Sequence, residues 1–194
     1  MPAIASCKTK IFETAARLFY SRGIKSTGVD LIISEAGVNK TTFFKHFPSK
    51  QVLVLSYLNF RDEQWLSWLT QRISEIGSTP RCRLLAIFQA LGEWFQMPDY
   101  CGCAFTNTLA EFRDRETPEY KIASAHKEKL RDQIKSLVMA AGSIESEQCA
   151  DQLMLLIEGA IVRAQLEGRP DAADDARSIA ELVLDRFSMP TQST

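Results

Sequence analysis

The chain has 194 residues, of which 45% are hydrophobic, and its formal net charge at pH 7 is -1. No stretch approaches the roughly 20 apolar residues of a membrane span, and residues 1–10 lack the apolar core of a secretory signal, so we expect a cytoplasmic protein without a membrane segment. The five cysteines are scattered and the two histidines lie 80 positions apart, which argues against a disulfide framework and a metal site. We therefore expect no metal and no cofactor.

The charge is divided unevenly along the chain. Residues 1–50 carry eight basic and three acidic side chains, a net charge of +5, whereas the remaining residues carry a net charge of -6. A basic N-terminal segment on an acidic body indicates a polyanionic partner at that end. An ordinary solvated basic face would give the same distribution and is the alternative.

Apolar residues recur at helical spacing through the whole sequence, and no segment shows the alternation typical of a strand. The first predicted helix carries such residues from Ile11 to Phe19 and ends at Gly23. For the second helix, Thr27 is the expected N-cap because Asp30 follows at capping-box spacing. These patterns predict an all-α protein.

Further cap and break signals divide the rest of the sequence. Asn39 is expected to cap a third helix, which must end before Pro48 because the residue before a proline resists helical geometry. Ser49 would cap a fourth helix that runs to about Ile76. Additional breaks, each containing Gly or Pro, fall at residues 77–80, 97–102, 115–118, 140–143 and 167–170. The predicted total is about nine helices.

The link between the second and third helices is typical of a helix-turn-helix. It consists of residues 37–39, and its glycine permits the sharp turn. On the third helix, Phe43 and Phe47 lie on one side, and the polar side offers hydroxyl and ammonium groups to base edges and phosphates. Lys50 would lie in the first turn of the fourth helix, where a cation opposes the helix dipole and a bound phosphate would reverse that penalty. The alternative is a helical hairpin with a lysine-rich solvent face.

Residues 10–58 resemble the DNA-binding domain of the TetR family of transcriptional regulators. Four short stretches carry the resemblance: Ala15-Ala16-x-Leu18-Phe19, Arg22-Gly23, Ala36-Gly37-Val38 and Phe47-Pro48-Ser49-Lys50. The rest of the chain resembles the family mainly in length and helix layout.

The resemblance implies a homodimer with two domains. Residues 1–50 would form a three-helix helix-turn-helix domain, and residues 51–190 a helical domain for effector binding and dimerisation. Such a protein would act as a repressor, binding double-stranded DNA at a palindromic operator and leaving it when a small apolar or electrophilic effector binds. The alternatives are a small-molecule-binding helical enzyme and a helical protein-interaction module. The sequence contains no G-x-S-x-G elbow and no glycine-rich phosphate loop, which disfavours the enzyme.

The resemblance and the polar face of the third helix together assign nine residues to DNA binding. They are Thr27, Asn39, Lys40, Thr41, Thr42, Phe44, Lys45, His46 and Lys50. Lys40, Thr41 and Thr42 would reach bases and nearby backbone, while His46 and Lys50 would contact phosphates.

The sequence departs from the family's usual pattern at two positions. Phe44 stands where a tyrosine hydroxyl usually bonds a phosphate, so it would instead stack on a sugar or a thymine methyl group. Asp30 stands where a basic or neutral residue is common. A base contact from the second helix is therefore not expected there.

The last two predicted helices carry apolar residues over a band wider than one packing face requires. The resemblance favours a four-helix dimer interface, with one helix pair from each subunit. The residues assigned to it are Leu153, Ile157, Ala160, Ile161, Ala164, Ile179 and Val183. Burial of the same residues inside one subunit is the alternative.

The middle helices are rich in large side chains, which suit either a core or an apolar pocket with a few polar groups. The candidate pocket residues are Trp65, Trp68, Phe88, Leu91, Trp94, Cys103, Phe105, Thr108, Glu111, Met154 and Glu158. Cys103 also precedes a helix expected to begin near Ala104, where the thiolate would be stabilised for reaction with an electrophile. Burial as a small apolar side chain is the alternative for Cys103. His126 lies in a polar run and is expected at the surface or hydrogen-bonded.

Overall fold

The computed structural model describes residues 6–143 and 145–187, and in these residues the chain forms nine α-helices and no strand. The helices are α1 (Cys7–Arg22), α2 (Val29–Ala36), α3 (Lys40–His46), α4 (Lys50–Ile76), α5 (Pro80–Phe95), α6 (Ala104–Glu111), α7 (Pro118–Ala140), α8 (Ser146–Glu167) and α9 (Ala172–Phe187). The prediction of an all-α fold with about nine helices is confirmed.

Three of the predicted helix boundaries rest on local contacts that the structure contains. The Asn39 side chain accepts a hydrogen bond of 2.8 Å from the backbone N–H of Thr42, which opens α3. The Ser49 hydroxyl accepts one of 3.2 Å from the N–H of Val52 and opens α4 in the same way. Gly23 follows α1 with φ of 90°, a value that side-chain-bearing residues rarely adopt.

The prediction that Thr27 caps α2 is wrong. Gly28 occupies the N-cap position, and no side chain bonds the first turn of α2. Thr27 is fully buried instead, and its hydroxyl donates a hydrogen bond of 2.8 Å to the carbonyl of Gly23. The hydroxyl therefore satisfies a backbone carbonyl at the end of α1.

The described helices carry no signature of a membrane segment or a metal centre. None of them is long and apolar enough to cross a bilayer. Within the same residues, no three His, Cys, Asp or Glu side chains are grouped in a way that could hold a metal ion.

The chain divides into two compact units. The first unit contains Met1–Glu63 and Cys103–Ala125, and the second contains Gln64–Gly102 and His126–Thr194. Both α4 and α7 contribute residues to each unit.

The division into functional domains at residues 50 and 51 stays a prediction, because the two units follow internal contacts and not activities. The boundary coincides with the first residue of α4. The predicted end of the second domain, at residue 190, lies outside the described residues.

In the first unit, α1 packs against α2 and α3, and α2 packs against α3. The fully or nearly fully buried apolar side chains of these helices and of the beginning of α4 are Ile11, Ala15, Leu18, Phe19, Ile32, Phe43, Leu53, Val54, Tyr57 and Leu58. Arg17 of α1 and Glu35 of α2 add an ion pair at the surface. The apolar side of α3 packs into this core, which holds the helix against α1 and α2.

In the second unit, α8 and α9 pack along each other, and α5 packs against both. The buried apolar side chains of α5 include Leu84, Ile87, Phe88, Leu91 and Trp94. Those of α8 and α9 include Leu153, Ile157, Ile161, Ala176, Ala180 and Leu184. Burial of a Leu, Ile or Phe side chain contributes about 1.5 to 3 kcal/mol, so these faces hold the unit together.

Candidate functional site

The turn between α2 and α3 reverses the chain within three residues. Gly37 adopts a left-handed conformation, with φ of 64° and ψ of 38°, which glycine tolerates without a steric penalty. The N–H of Val38 bonds the carbonyl of Ile33 at 3.2 Å and satisfies the end of α2. Asn39 then opens α3, so α2 and α3 form a helix-turn-helix.

The two faces of α3 differ in burial as the sequence predicts. Phe43 is fully buried, and Phe47 directly after the helix is also buried. The opposite face is open to solvent: Asn39, Lys40, Thr41, Phe44 and Lys45 are exposed, while Thr42 and His46 are half-buried. A polar face with hydroxyl, amide and ammonium groups is the kind of surface that enters the major groove of DNA.

Lys50 is the first residue of α4 and follows the last residue of α3, His46, by four positions. Partial burial lowers the pKa of Lys50 below its ordinary value, while the nearby negative charge of Glu111 acts in the opposite direction and raises it. A cation in the first turn of a helix is also opposed by the helix dipole. A bound phosphate would favour the charged form of Lys50 and so oppose the effects of partial burial and of the helix dipole.

Thr27 does not belong to this surface, although the sequence assigns it to DNA binding. Its side chain is fully buried, and its hydroxyl lies within hydrogen-bonding distance of the carbonyls of Leu18 and Gly23. A buried hydroxyl that already has partners cannot reach a phosphate, so the assignment is corrected.

Glu111 is placed differently from the pocket role that the sequence assigns to it. Its carboxylate accepts hydrogen bonds from the backbone N–H groups of Ile24, at 2.9 Å, and Lys25, at 2.5 Å. A Cβ at Gly23 would lie 3.1 Å from the same carboxylate, so a glycine allows the close approach. The carboxylate therefore ties α6 to the segment between α1 and α2.

Sequence reasoning missed this contact, because Glu111 and its two partners lie 87 and 86 positions apart and no local pattern joins them. The side-chain ammonium of Lys25 also lies over the ring of Phe112, 5.0 Å from its centre. Both contacts involve the end of α6 and the same short segment of the first unit.

The other candidate pocket residues of the first unit are packing residues. Cys103, Phe105 and Thr108 are buried, and the Thr108 hydroxyl bonds the carbonyl of Ala104 at 2.7 Å. Thr108 and Glu111 border a cavity of only about 10 Å³, which is at the lower limit for a single water molecule. That cavity cannot hold an organic effector.

The candidate pocket residues of the second unit include a cluster of rings. The centre of the Trp65 ring lies 6.2 Å from that of Trp68, 5.7 Å from that of Trp94 and 5.4 Å from that of His126. The indole N–H of Trp65 is buried and has no hydrogen-bond partner among residues 6–143 and 145–187. We call Trp65, Trp68, Trp94 and His126 the aromatic cluster.

The remaining candidates of the second unit differ in burial and in partners. Phe88 and Leu91 are buried, and Met154 is half-buried. Glu158 accepts a hydrogen bond of 2.7 Å from Lys127 and forms an ion pair with it. His126 is buried against Trp65, which excludes the surface position and leaves the other part of its prediction, a buried histidine with a partner.

Five of the predicted dimer residues pack inside their own chain. Leu153, Ile157, Ala160, Ile161 and Ala164 are each at most 4% exposed, which leaves them no surface for a second subunit. Their assignment to the interface is corrected, because α9 and α5 already cover this face of α8.

Other apolar residues of the same two helices face solvent, and those of α8 lie on the side opposite its buried face. They are Leu155, Val162 and Leu166 on α8 and Ile179 and Leu182 on α9, with exposed fractions between 47% and 80%. Their spacing puts them on one face of each helix, and we call these residues together the exposed α8–α9 face. Of the predicted residues, Ile179 belongs to this face and Val183 is half-buried beside it.

The geometry defines a helix-turn-helix protein whose second helix presents a polar face. Residues 11–57 match the family described as bacterial regulatory proteins, tetR family, and residues 80–180 match the one described as Tetracyclin repressor-like, C-terminal domain. The chain therefore belongs to the TetR family and is a DNA-binding transcriptional regulator, not an enzyme.

Similar proteins agree with this membership over most of the chain. The HTH-type transcriptional regulator YjdC of Escherichia coli is 24% identical over 178 residues, which cover 92% of this chain and 93% of that protein. The HTH-type transcriptional repressor KstR2 of Mycolicibacterium smegmatis is 33% identical over 87 residues, 44% of this chain and 42% of its own length. The crystal structure of a TetR-family regulator from Streptomyces coelicolor has a TM-score of 0.89 and 27% identity, with 95% of this chain and 91% of that chain covered.

Proposed function

We propose that the protein is a homodimeric repressor that binds a palindromic operator with one α3 helix from each subunit. A small apolar effector, bound by the second unit, would release it. The observation that carries the DNA part is the polar face of α3, exposed from Asn39 to Lys45 and flanked by Lys50.

Within this proposal, the residues of α3 have different roles. Lys40 and Thr41 are exposed near the beginning of the helix and contact base edges. Lys45, His46 and Lys50 contact phosphates and set the orientation of the helix on the duplex. Phe44 is 39% exposed and offers an apolar ring to a sugar or a thymine methyl group.

The homodimer is supported by the exposed α8–α9 face. Exposed apolar side chains favour association, and two copies of one face related by a two-fold axis form a closed, self-complementary interface. Four helices, two from each subunit, would then pack as a bundle. A two-fold dimer presents two recognition helices, which is why we expect a palindromic operator.

The aromatic cluster supports an apolar effector with a hydrogen-bond acceptor. Aromatic and apolar side chains dominate small-molecule sites, and a few polar groups orient the ligand. The buried indole N–H of Trp65 makes no hydrogen bond within the part of the chain that the structure describes. A buried donor without a partner destabilises the protein by about 1 to 3 kcal/mol, which a ligand oxygen or nitrogen would recover.

An electrophilic effector is a second candidate, with Cys103 as the reacting group. Cys103 directly precedes α6, and a helix N-terminus stabilises a thiolate. The 5% exposure of its side chain argues against rapid reaction and favours the apolar effector.

The response needs a coupling free energy of about 1 to 3 kcal/mol between effector and DNA. We propose that α4 and α6 transmit it, because α4 begins at Lys50 and contributes residues to both units, and α6 ends at Glu111 on the segment that follows α1. A cytoplasmic location, where such a regulator meets chromosomal DNA, belongs to the same proposal.

Selection of bound fragments from genomic DNA tests the proposed function. We expect the purified protein to recover fragments that share a motif with two-fold symmetry, and the affinity for this motif to fall steeply with salt. A double substitution, Lys40→Ala with Thr41→Ala, serves as the matched control because both side chains are exposed and their removal leaves the core intact. Random recovery of fragments by the wild-type protein would contradict the proposal.

A further inference from the structure

A cavity of about 450 Å³ lies in the first unit between the first turn of α1, the end of α3 and the first three turns of α4. This volume is within the range of about 300 to 1,000 Å³ that is usual for small-molecule sites. The cavity is separate from the aromatic cluster, all of whose residues belong to the second unit.

One part of the cavity lining is apolar. Phe12, Phe47, Val52 and Phe60 supply it, and the rings of Phe12 and Phe60 meet edge to face with their centres 5.2 Å apart. Phe60 is 44% exposed and Val52 is 43% exposed, and the two side chains lie eight residues apart on α4. A flat or aromatic group inserted here would cover part of this apolar lining.

The polar part of the lining carries positive charge and hydrogen-bond donors. Lys8 and His46 contribute to it, and no carboxylate is among the described residues that line the cavity. The two hydroxyls of the lining, from Thr9 and Ser56, already have partners in Ser6 and the carbonyl of Val52. The cavity is therefore electrostatically complementary to an anion.

We propose that this cavity binds a small amphipathic anion, an aromatic or alkyl carboxylate or sulfonate. The apolar group of the ligand packs on Phe12 and Phe60, and its acid group faces Lys8 and His46. His46 also belongs to the surface proposed to contact DNA, so the bound anion competes with the operator. This competition rests on the proposed function, whereas the binding site itself does not.

Titration with 8-anilinonaphthalene-1-sulfonate, an aromatic sulfonate whose fluorescence rises on binding, tests the site. Val52→Glu places a carboxylate in the cavity three residues after the Ser49 cap, a capping-box spacing that favours α4 and preserves the fold. Phe60→Ser is a second variant at an exposed position. Met139→Glu is the matched control, because Met139 is 59% exposed on α7 of the second unit.

We expect Val52→Glu and Phe60→Ser to weaken binding of the sulfonate at one site per chain by tenfold or more, and Met139→Glu to leave it unchanged. The uncharged analogue N-phenyl-1-naphthylamine should bind this site at least tenfold more weakly than the sulfonate. Equal affinities in all four proteins, or equal affinities for the two probes, would overturn the site. Lys8→Glu tests the role of Lys8. If this variant binds DNA more weakly but keeps the sulfonate affinity of the wild-type protein, then Lys8 contacts DNA phosphate and not the sulfonate, and the proposed site is overturned.

The competition is tested with operator DNA. The sulfonate should displace DNA from the wild-type protein and fail to displace it from Val52→Glu at the same concentration. If the sulfonate binds the cavity and DNA affinity does not change, the competition is overturned while the site stands. If the protein binds no DNA at all, the proposed function fails and the direct titration still decides the site.

Discussion

The Glu111 carboxylate should stabilise the end of α1 in a way that mutation can measure. It accepts a hydrogen bond from the part-buried N–H of Ile24 and another from the more exposed N–H of Lys25. A hydrogen bond to a charged group contributes about 1.5 to 3 kcal/mol, so we assign about 2 kcal/mol to the first bond and, after allowance for solvent, about 1 kcal/mol to the second. We expect Glu111→Ala to lower the free energy of unfolding of the first unit by about 3 kcal/mol.

Two further variants calibrate this value. Glu111→Gln keeps one acceptor oxygen but turns an amide donor towards the second N–H, so we expect a loss of about 1 to 2 kcal/mol. Glu116→Ala is the control, because the ion pair of Glu116 with Lys121 is at the surface and its glutamate is 84% exposed. Its removal should change stability by less than about 0.5 kcal/mol.

Amide hydrogen exchange is the direct assay, because it reports on the two N–H groups themselves. In Glu111→Ala, a loss of about 3 kcal/mol should speed exchange at Ile24 and Lys25 by about a hundredfold. Protein concentration must be held fixed, since formation of the proposed dimer would alter apparent stability. Unchanged exchange at both amides would refute the reasoning.

The remaining predictions concern the DNA surface, the subunit contact and the thiols. Lys50→Ala should weaken binding to all duplexes alike and reduce the salt slope by about one, as measured by fluorescence anisotropy at several salt concentrations; an unchanged slope would exclude a phosphate contact. Leu166→Glu should give a folded monomer, whereas Ile161→Glu should unfold the chain, because Leu166 is 80% exposed and Ile161 is buried. Mass in solution together with helicity distinguishes these outcomes, and a monomeric wild-type protein would exclude the dimer. Iodoacetamide should modify the exposed Cys82 and spare Cys149, since burial raises the pKa of the Cys149 thiol; mass spectrometry of the peptides would reveal equal modification if this is wrong.

Helix boundaries could be predicted from the sequence wherever the signal is local. Asn39 and Ser49 bond backbone N–H groups within three residues of themselves, and Gly37 adopts the left-handed conformation that a glycine at a helix end predicts. Thr27 shows the limit of such signals. Thr27 has the capping-box spacing to Asp30, yet Gly28 occupies the N-cap position of α2. The threonine hydroxyl instead donates a hydrogen bond to the carbonyl of Gly23 at the end of α1.

Contacts between distant segments could not be predicted in the same way. Glu111 looked like a polar group for a pocket, and only the fold brings it to the backbone of Ile24 and Lys25. The predicted interface residues on α8 were wrong for a different reason. The sequence shows a broad apolar band on α8, and its most regular residues, such as Ile157, are those that α5 and α9 bury, while Leu155 and Leu166 on the opposite side of the helix stay exposed.

The central claim, that α3 reads DNA sequence, is tested most directly by the base preference of Lys40→Ala. The affinities of the wild-type and variant proteins are measured by anisotropy for the selected operator and for each single-base variant of one half-site. We expect the variant to lose about 1 to 3 kcal/mol on the operator and to lose discrimination at one or two adjacent positions only. An unchanged pattern of base preference, with affinity lowered equally on every duplex or not at all, would contradict the account.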